Sequence, residues 1–186
     1  MKQIPFKNTY IDLGKNFYTR TRPTTVSDPA LIVYNRALSD ALGLSDTCLG
    51  SSEGMAIFAG NHVPEGAEPL AMAYAGHQFG HFVPQLGDGR ALLLGQVATA
   101  DGVHHDIHLK GCGRTVYSRG GDGRAALGPV VREYLVSEAM AQLGVPTTRA
   151  LAAVATGEPV AREQLLPGGI ITRTSRSFVR VGTFEY

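Results

Sequence analysis

Apolar positions along the 186-residue chain change their period at Phe82 and again at Pro129. From Ala30 to Leu44, the residues Leu31, Ile32, Tyr34, Leu38 and Leu42 recur at helix-like intervals. That spacing predicts a helix with Asp28 as N-cap, Pro29 as its first residue and Gly43 near its end. Met55–Ala59 is apolar but short, and Pro69–Gly80 is apolar and carries Tyr74 and His77. From Phe82 the period is that of strands: Phe82–Leu86, Ala91–Thr99 and Val103–Lys110, the last two joined by the hairpin signal Ala100-Asp101-Gly102. Alternation sets Ile107 and Leu109 on one face of the third strand, and Asp106, His108 and Lys110 on the other. Gly111–Gly128 is rich in glycine and arginine and reads as a loop. Pro129 then opens a helix with apolar Val130, Val131, Tyr134, Leu135, Met140 and Leu143, closed by Gly144 and Pro146. Strands return at Thr148–Ala155 and Ile170–Arg176, split by Thr156-Gly157-Glu158-Pro159 and Leu166-Pro167-Gly168-Gly169.

The order is strand, glycine-rich turn, strand, hairpin, strand ending in lysine, helix with glutamate, two strands. It resembles the amino-terminal lobe of a protein kinase, where a strand lysine pairs with a glutamate of the next helix. The fold class expected is therefore α+β. A kinase-like lobe over 81–186, an antiparallel sheet plus an αC-type helix, follows a mainly helical extension over 1–80. The chain stops at Tyr186 in mid-pattern, which reads as a truncation before a carboxy-terminal lobe.

Composition narrows the setting. A hydrophobic fraction of 44% with 18% charged residues describes a soluble globular protein. The start MKQIPFKNTYIDLG has no signal-peptide core, so the expected location is cytoplasmic, with no membrane partner. A net charge of +1 gives no support for nucleic-acid binding. Locally the balance differs: Lys110, Arg114, Arg119 and Arg124 face one acid, Asp122, and Arg173, Arg176 and Arg180 follow one another with no acid between them. Basic loops in a near-neutral chain suggest a small anionic ligand. Cys48 and Cys112 match no zinc or redox spacing, although glycines and Arg114 around Cys112 suggest some thiolate character.

Gly-Asp-Gly-Arg occurs twice, at Gly87–Arg90 and Gly121–Arg124. Glycines around an aspartate bring backbone N–H groups close to a ligand, and each arginine offers a donor fork suited to phosphate. Lys110 lies between the copies, and every other lysine falls in the first fifteen residues. A lone lysine among arginines suggests a compact charge that reaches a phosphate and a carboxylate together. Two helix glutamates compete as its partner: Glu138, nearer the apolar face, and Glu133, nearer the helix N-terminus. Arg173, Arg176 and Arg180 read either as ligand-facing or as charges decorating an edge strand. His77 and His81 have one-turn helical spacing, but Gln78 stands where a zincin has glutamate. Neither a Walker P-loop nor the longer Rossmann glycine pattern is present.

Four motifs closely resemble the selenoprotein O family. They are YAGHQFGHFVPQLGDGR over 74–90, DIHLKG from Asp106, SRGGDGRA from Ser118 and VRVGTFE from Val179. The likeness runs from about Asn8 to the last residue. It implies a pseudokinase that binds ATP flipped relative to ordinary kinases and transfers AMP to protein hydroxyls of Ser, Thr or Tyr. By the same resemblance Gly87, Gly89 and Arg90 cover the nucleotide, Lys110 binds phosphate with Glu133 as its partner, and Asp122 and Gly123 join the site. Arg173 and Arg180 would hold the terminal phosphates where a kinase places adenine. Family members are far longer; their catalytic base and the ligands for Mg²⁺ or Mn²⁺ are expected beyond these residues, so this stretch alone is expected to be inactive. The competing readings are a binding-only regulatory pseudokinase and a redox protein working through Cys112.

Overall fold

The computed structural model describes residues 3–45 and 47–186; Met1, Lys2 and Asp46 lie outside it. Its strands are β1 (Tyr18–Arg20), β2 (Ala30–Tyr34), β3 (Leu70–Met72), β4 (Gly76–Gln78), β5 (His81–Val83), β6 (Ala91–Ala98), β7 (His104–Lys110), β8 (Ala125–Ala126), β9 (Arg149–Ala161) and β10 (Leu165–Ser175). The helices are α1 (Arg36–Ala41), α2 (Ser52–Phe58), α3 (Leu127–Gln142) and α4 (Val181–Phe184). Strands β1, β3, β6, β7, β10, β9 and β2 form one antiparallel sheet in that order, with β8 paired to β10. The α+β class expected from the sequence is the class observed.

The sheet carries apolar layers on both faces. One packs Ile107 and Leu109 of β7, Leu92 and Leu94 of β6, and Leu151 of β9 against Leu38 of α1 and Ile57 and Phe58 of α2. On the other, α3 packs Val130 against Ala150, Ala153 and Ile171, with Leu127 and Tyr134 at its margin. Alternation in β7 then leaves Asp106, His108 and Lys110 to the α3 side, as the sequence pattern requires. Gly144 ends α3 in a left-handed conformation, φ +78°, and the Val145 N–H donates to the Met140 carbonyl.

Three expectations need correction. The helix over Ala30–Leu44 is strand β2 followed by the short α1. Ile32 and Val33 are β-branched, and the Asn35 carboxamide accepts from the Leu38 N–H, starting the helix at Arg36, six residues later than Ala30. Asp28 caps nothing there; its N–H approaches the Thr156 carbonyl beside β9. The Gly87–Arg90 turn does not join two sheet neighbours either. β5 pairs with β4 in a separate small hairpin, and β3 is the strand beside β6. Finally, β9 and β10 run through Thr156–Pro159 and Leu166–Gly169, absorbing them with a register shift, and turn only at residues 162–164. Because β1, β2 and β3 belong to the main sheet, the expected division at residue 80 crosses one continuous sheet.

Candidate functional site

The glycine-rich loops, the end of β7 and the end of β10 meet around a cleft of about 760 Å³. Seven lysine or arginine side chains line it against two aspartates. Gly87, Gly89, Arg90, Lys110, Asp122, Gly123, Arg173 and Arg180 all lie on its wall, although they span more than ninety residues of sequence. Arg176 does not line this cleft; it lies on a separate groove with His105.

The first loop is anchored along β3. The Asp88 N–H donates to the Met72 carbonyl at 2.8 Å, and the Leu86 N–H to the Tyr74 carbonyl at 2.8 Å. Gly87 sits at φ +74°, and a Cβ there would overlap the Tyr117 ring. The Thr115 hydroxyl donates to the Asp88 carbonyl at 2.7 Å, tying the first loop to the second. The second loop is held from outside. Asp122 accepts from Arg162 at 2.7 Å, and Arg124 donates to the carbonyls of Thr24 and Thr25 and pairs with Glu158 at 3.3 Å.

The two glutamates of α3 separate cleanly. Glu133 accepts from Lys110 Nζ at 2.6 Å and from Arg173 at 3.2 Å. Glu138 instead takes Arg149, the Ala150 N–H and Asn35, stapling the far end of α3 to the start of β9. From Lys110 the ionic chain continues. Arg173 donates to His108 Nδ1 at 2.9 Å, His108 Nε2 lies 3.2 Å from Asp88, and Asp88 lies 3.6 Å from Arg180. Phe178 stacks on His108 and lies under Arg173, while the Tyr74 ring lies under Arg180.

Electrostatics mark this wall as short of anions. Burial, together with Arg173 and Arg90 nearby, lowers the Lys110 pKa despite its bond to Glu133. Burial works against the Glu133 carboxylate, but the hydrogen bond from Lys110 and the charge of Arg173 outweigh it and hold its pKa below the usual value. Arg173 is depressed chiefly by burial, and its Nε is buried without a hydrogen-bond partner. A buried unsatisfied donor among surplus cations fits an anion, whose oxygens accept without donating.

Other candidates fall away from the cleft. Cys112 is fully buried and its thiol is pushed up to about 12, chiefly by burial, the opposite of the thiolate character suggested by its neighbours. His77 and His81 lie on β4 and β5, so the helical zinc spacing does not apply. Sequence reasoning missed Asp88, Tyr74 and Phe178 as members of the network. For His108 a signal existed, since alternation already put it on the Lys110 face. Nothing local marks Asp88 as the buried residue of its loop.

Comparison with known proteins gives the family. Residues 1–186 match the family described as protein adenylyltransferase SelO. A protein nucleotidyltransferase YdiU of Rhizobium meliloti is 64% identical over 100% of this chain and 38% of its own length. Those of Alkalilimnicola ehrlichii and Anoxybacillus flavithermus are each 63% identical, over 98% and 97% of this chain. The chain thus spans 37–38% of the length of these curated relatives. Matched along its whole length, the chain belongs to the SelO family of protein adenylyltransferases.

Proposed function

We propose that this chain is the nucleotide-gripping part of an ATP-dependent protein adenylyltransferase with a kinase-like amino-terminal lobe. The observation that carries the reading is the placement of Arg173 and Arg180 in one cleft with the Lys110–Glu133 pair. An adenine slot is apolar and has no use for two guanidinium groups; the terminal phosphates of ATP do. With those phosphates among the arginines, Lys110 lies toward the α-phosphate, and Glu133 holds its ammonium in place. Gly87, Gly89 and Gly123 let the backbone approach the nucleotide, with Arg90 and Asp122 at the rim. A hydroxyl oxygen of a protein Ser, Thr or Tyr then attacks the α-phosphorus. The new O–P bond forms as the α–β bridge breaks, and pyrophosphate leaves with its charge held by the arginines.

The residues present do not make a site for the Mg²⁺ or Mn²⁺ expected to accompany ATP. Among the described residues no group of three or more His, Cys, Asp or Glu is placed to hold a metal ion. The two cleft aspartates are already tied to cationic groups, Asp122 to Arg162 and Asp88 to Arg180. The metal ligands and the catalytic base are proposed to lie in the remaining length of the relatives, and this stretch alone is proposed to be inactive. Among the described residues no helix is long and apolar enough to cross a membrane.

The test is ATP binding by the chain carried at its relatives' full length. Wild type should bind ATP, and Arg173→Ala and Lys110→Ala should each weaken it at least about tenfold, as loss of a charge-assisted phosphate contact does. Equal affinity in all three proteins would contradict the reading.

A further inference from the structure

The Asp88–His108 pair has no part in the chemistry above, yet it occupies the centre of the ionic chain. His108 has no solvent exposure and Asp88 only 3%. A guanidinium has no acceptor, so the 2.9 Å contact between Arg173 and His108 Nδ1 requires that nitrogen to be unprotonated. The ring proton then sits on Nε2 and is donated to Asp88 at 3.2 Å. The other carboxylate oxygen of Asp88 accepts from the Tyr74 hydroxyl at 3.3 Å and lies 3.6 Å from Arg180. One side of the pair therefore fixes Arg173 and the other fixes Arg180.

From this geometry we propose that Asp88 and His108 are positioning residues that set the spacing of Arg173 and Arg180 as a two-arginine clamp for the terminal phosphates. The inference rests on the nucleotide reading above. Neutral His108 is suited to the task because it takes a hydrogen bond from one arginine without repelling it. Burial, followed by the charge of Arg173, pushes its pKa down to about 4, so the neutral form persists at physiological pH. Asp88 supplies the negative charge of the pair, while Glu133 pairs with Arg173 from the α3 side. Burial disfavours its ionised form, but His108 and Arg180 outweigh that and keep its pKa below the ordinary value. A clamp built this way discriminates by phosphate count, because only a nucleotide with terminal phosphates reaches both arginines.

The experiment compares calorimetric dissociation constants for ATP and AMP on the full-length form. His108→Phe keeps the ring and its stacking on Phe178 but can neither accept nor donate. His108→Gln can do both. The expected order for ATP is wild type, then Gln, then Phe, with Phe weaker than wild type by about tenfold. AMP affinity should stay within about twofold in all three, since AMP lacks the phosphates being clamped. If His108→Phe does not fold, Asp88→Asn carries the same comparison. Equal losses for ATP and AMP would overturn the proposal in favour of a general structural role, as would unchanged ATP binding in His108→Phe. Arg173→Ala separates the two levels. If it weakens ATP while His108→Phe does not, only the positioning role fails; if neither it nor Lys110→Ala changes ATP affinity, the nucleotide reading itself fails.

Discussion

In the first Gly-Asp-Gly-Arg loop the aspartate is buried and the arginine exposed; in the second the arginine is the more buried and the aspartate sits on the rim. The Asp88 side chain is 2% exposed and Asp122 is 43% exposed. Arg90 makes no ion pair among the described residues, while Arg124 is latched to Thr24, Thr25 and Glu158. The glycines reverse as well. Left-handed backbone falls on the first glycine of one copy, Gly87, and on the second of the other, Gly123. One tetrapeptide thus serves as a charge anchor in one place and as a pinned flap in the other. The difference is set by what lies beneath: His108 and Arg180 under the first loop, the β9–β10 turn and the amino-terminal segment beside the second.

The largest expected effect separates the two aspartates. Asp88→Asn should destabilise the protein by about 3 kcal/mol, because it removes the buried charge that faces His108 and Arg180. Asp122→Asn loses only an exposed pair and should cost less than about 1 kcal/mol. Urea unfolding measures both, and equal costs would break the comparison. Next come the first glycines of each copy. Gly87→Ala forces a Cβ into Tyr117 at a positive φ and should cost about 2 kcal/mol. Gly121→Ala, with ordinary backbone and 3.1 Å to the Ser118 carbonyl, should cost less than about 1 kcal/mol.

A third effect is carried by pH. Asp88, Arg173 and Arg180 face His108, whose folded pKa of about 4 lies below its ordinary value of 6.5. The unfolded chain therefore binds the extra proton, and stability rises with pH across that window. The His108 contribution is complete above about pH 6.5 and falls by up to about 1.4 kcal/mol per pH unit as pH drops toward 4. His108→Gln should flatten that slope, and a parallel slope in the variant would show that another group carries it. The smallest contrast lies in the arginines: Arg124→Ala should cost about 1 kcal/mol and Arg90→Ala less than about half that in thermal unfolding.

Much of the cleft was legible in the sequence because it depends on local order. The lysine at the end of β7, its face and the helix that follows are read from period alone, and the glycine repeat marks both loops. Choosing Glu133 over Glu138 needed more, since both lie on α3 and only packing shows that Arg149 claims Glu138. The amino-terminal strands were misread because β2 is an edge strand with Leu31 and Ile32 half-exposed, so its apolar spacing imitates a helix. Asp88 was missed because burial of a loop aspartate is decided by residues twenty and ninety positions away.

Label transfer reports the orientation of the nucleotide in the cleft. The full-length form is incubated with a protein substrate and ATP labelled at either the α- or the γ-phosphate, beside its Lys110→Ala variant. The flipped pose predicts label on protein from α-labelled ATP only, and none with the variant. Label from γ-labelled ATP would place the terminal phosphates at the point of attack and contradict the assignment of Arg173 and Arg180.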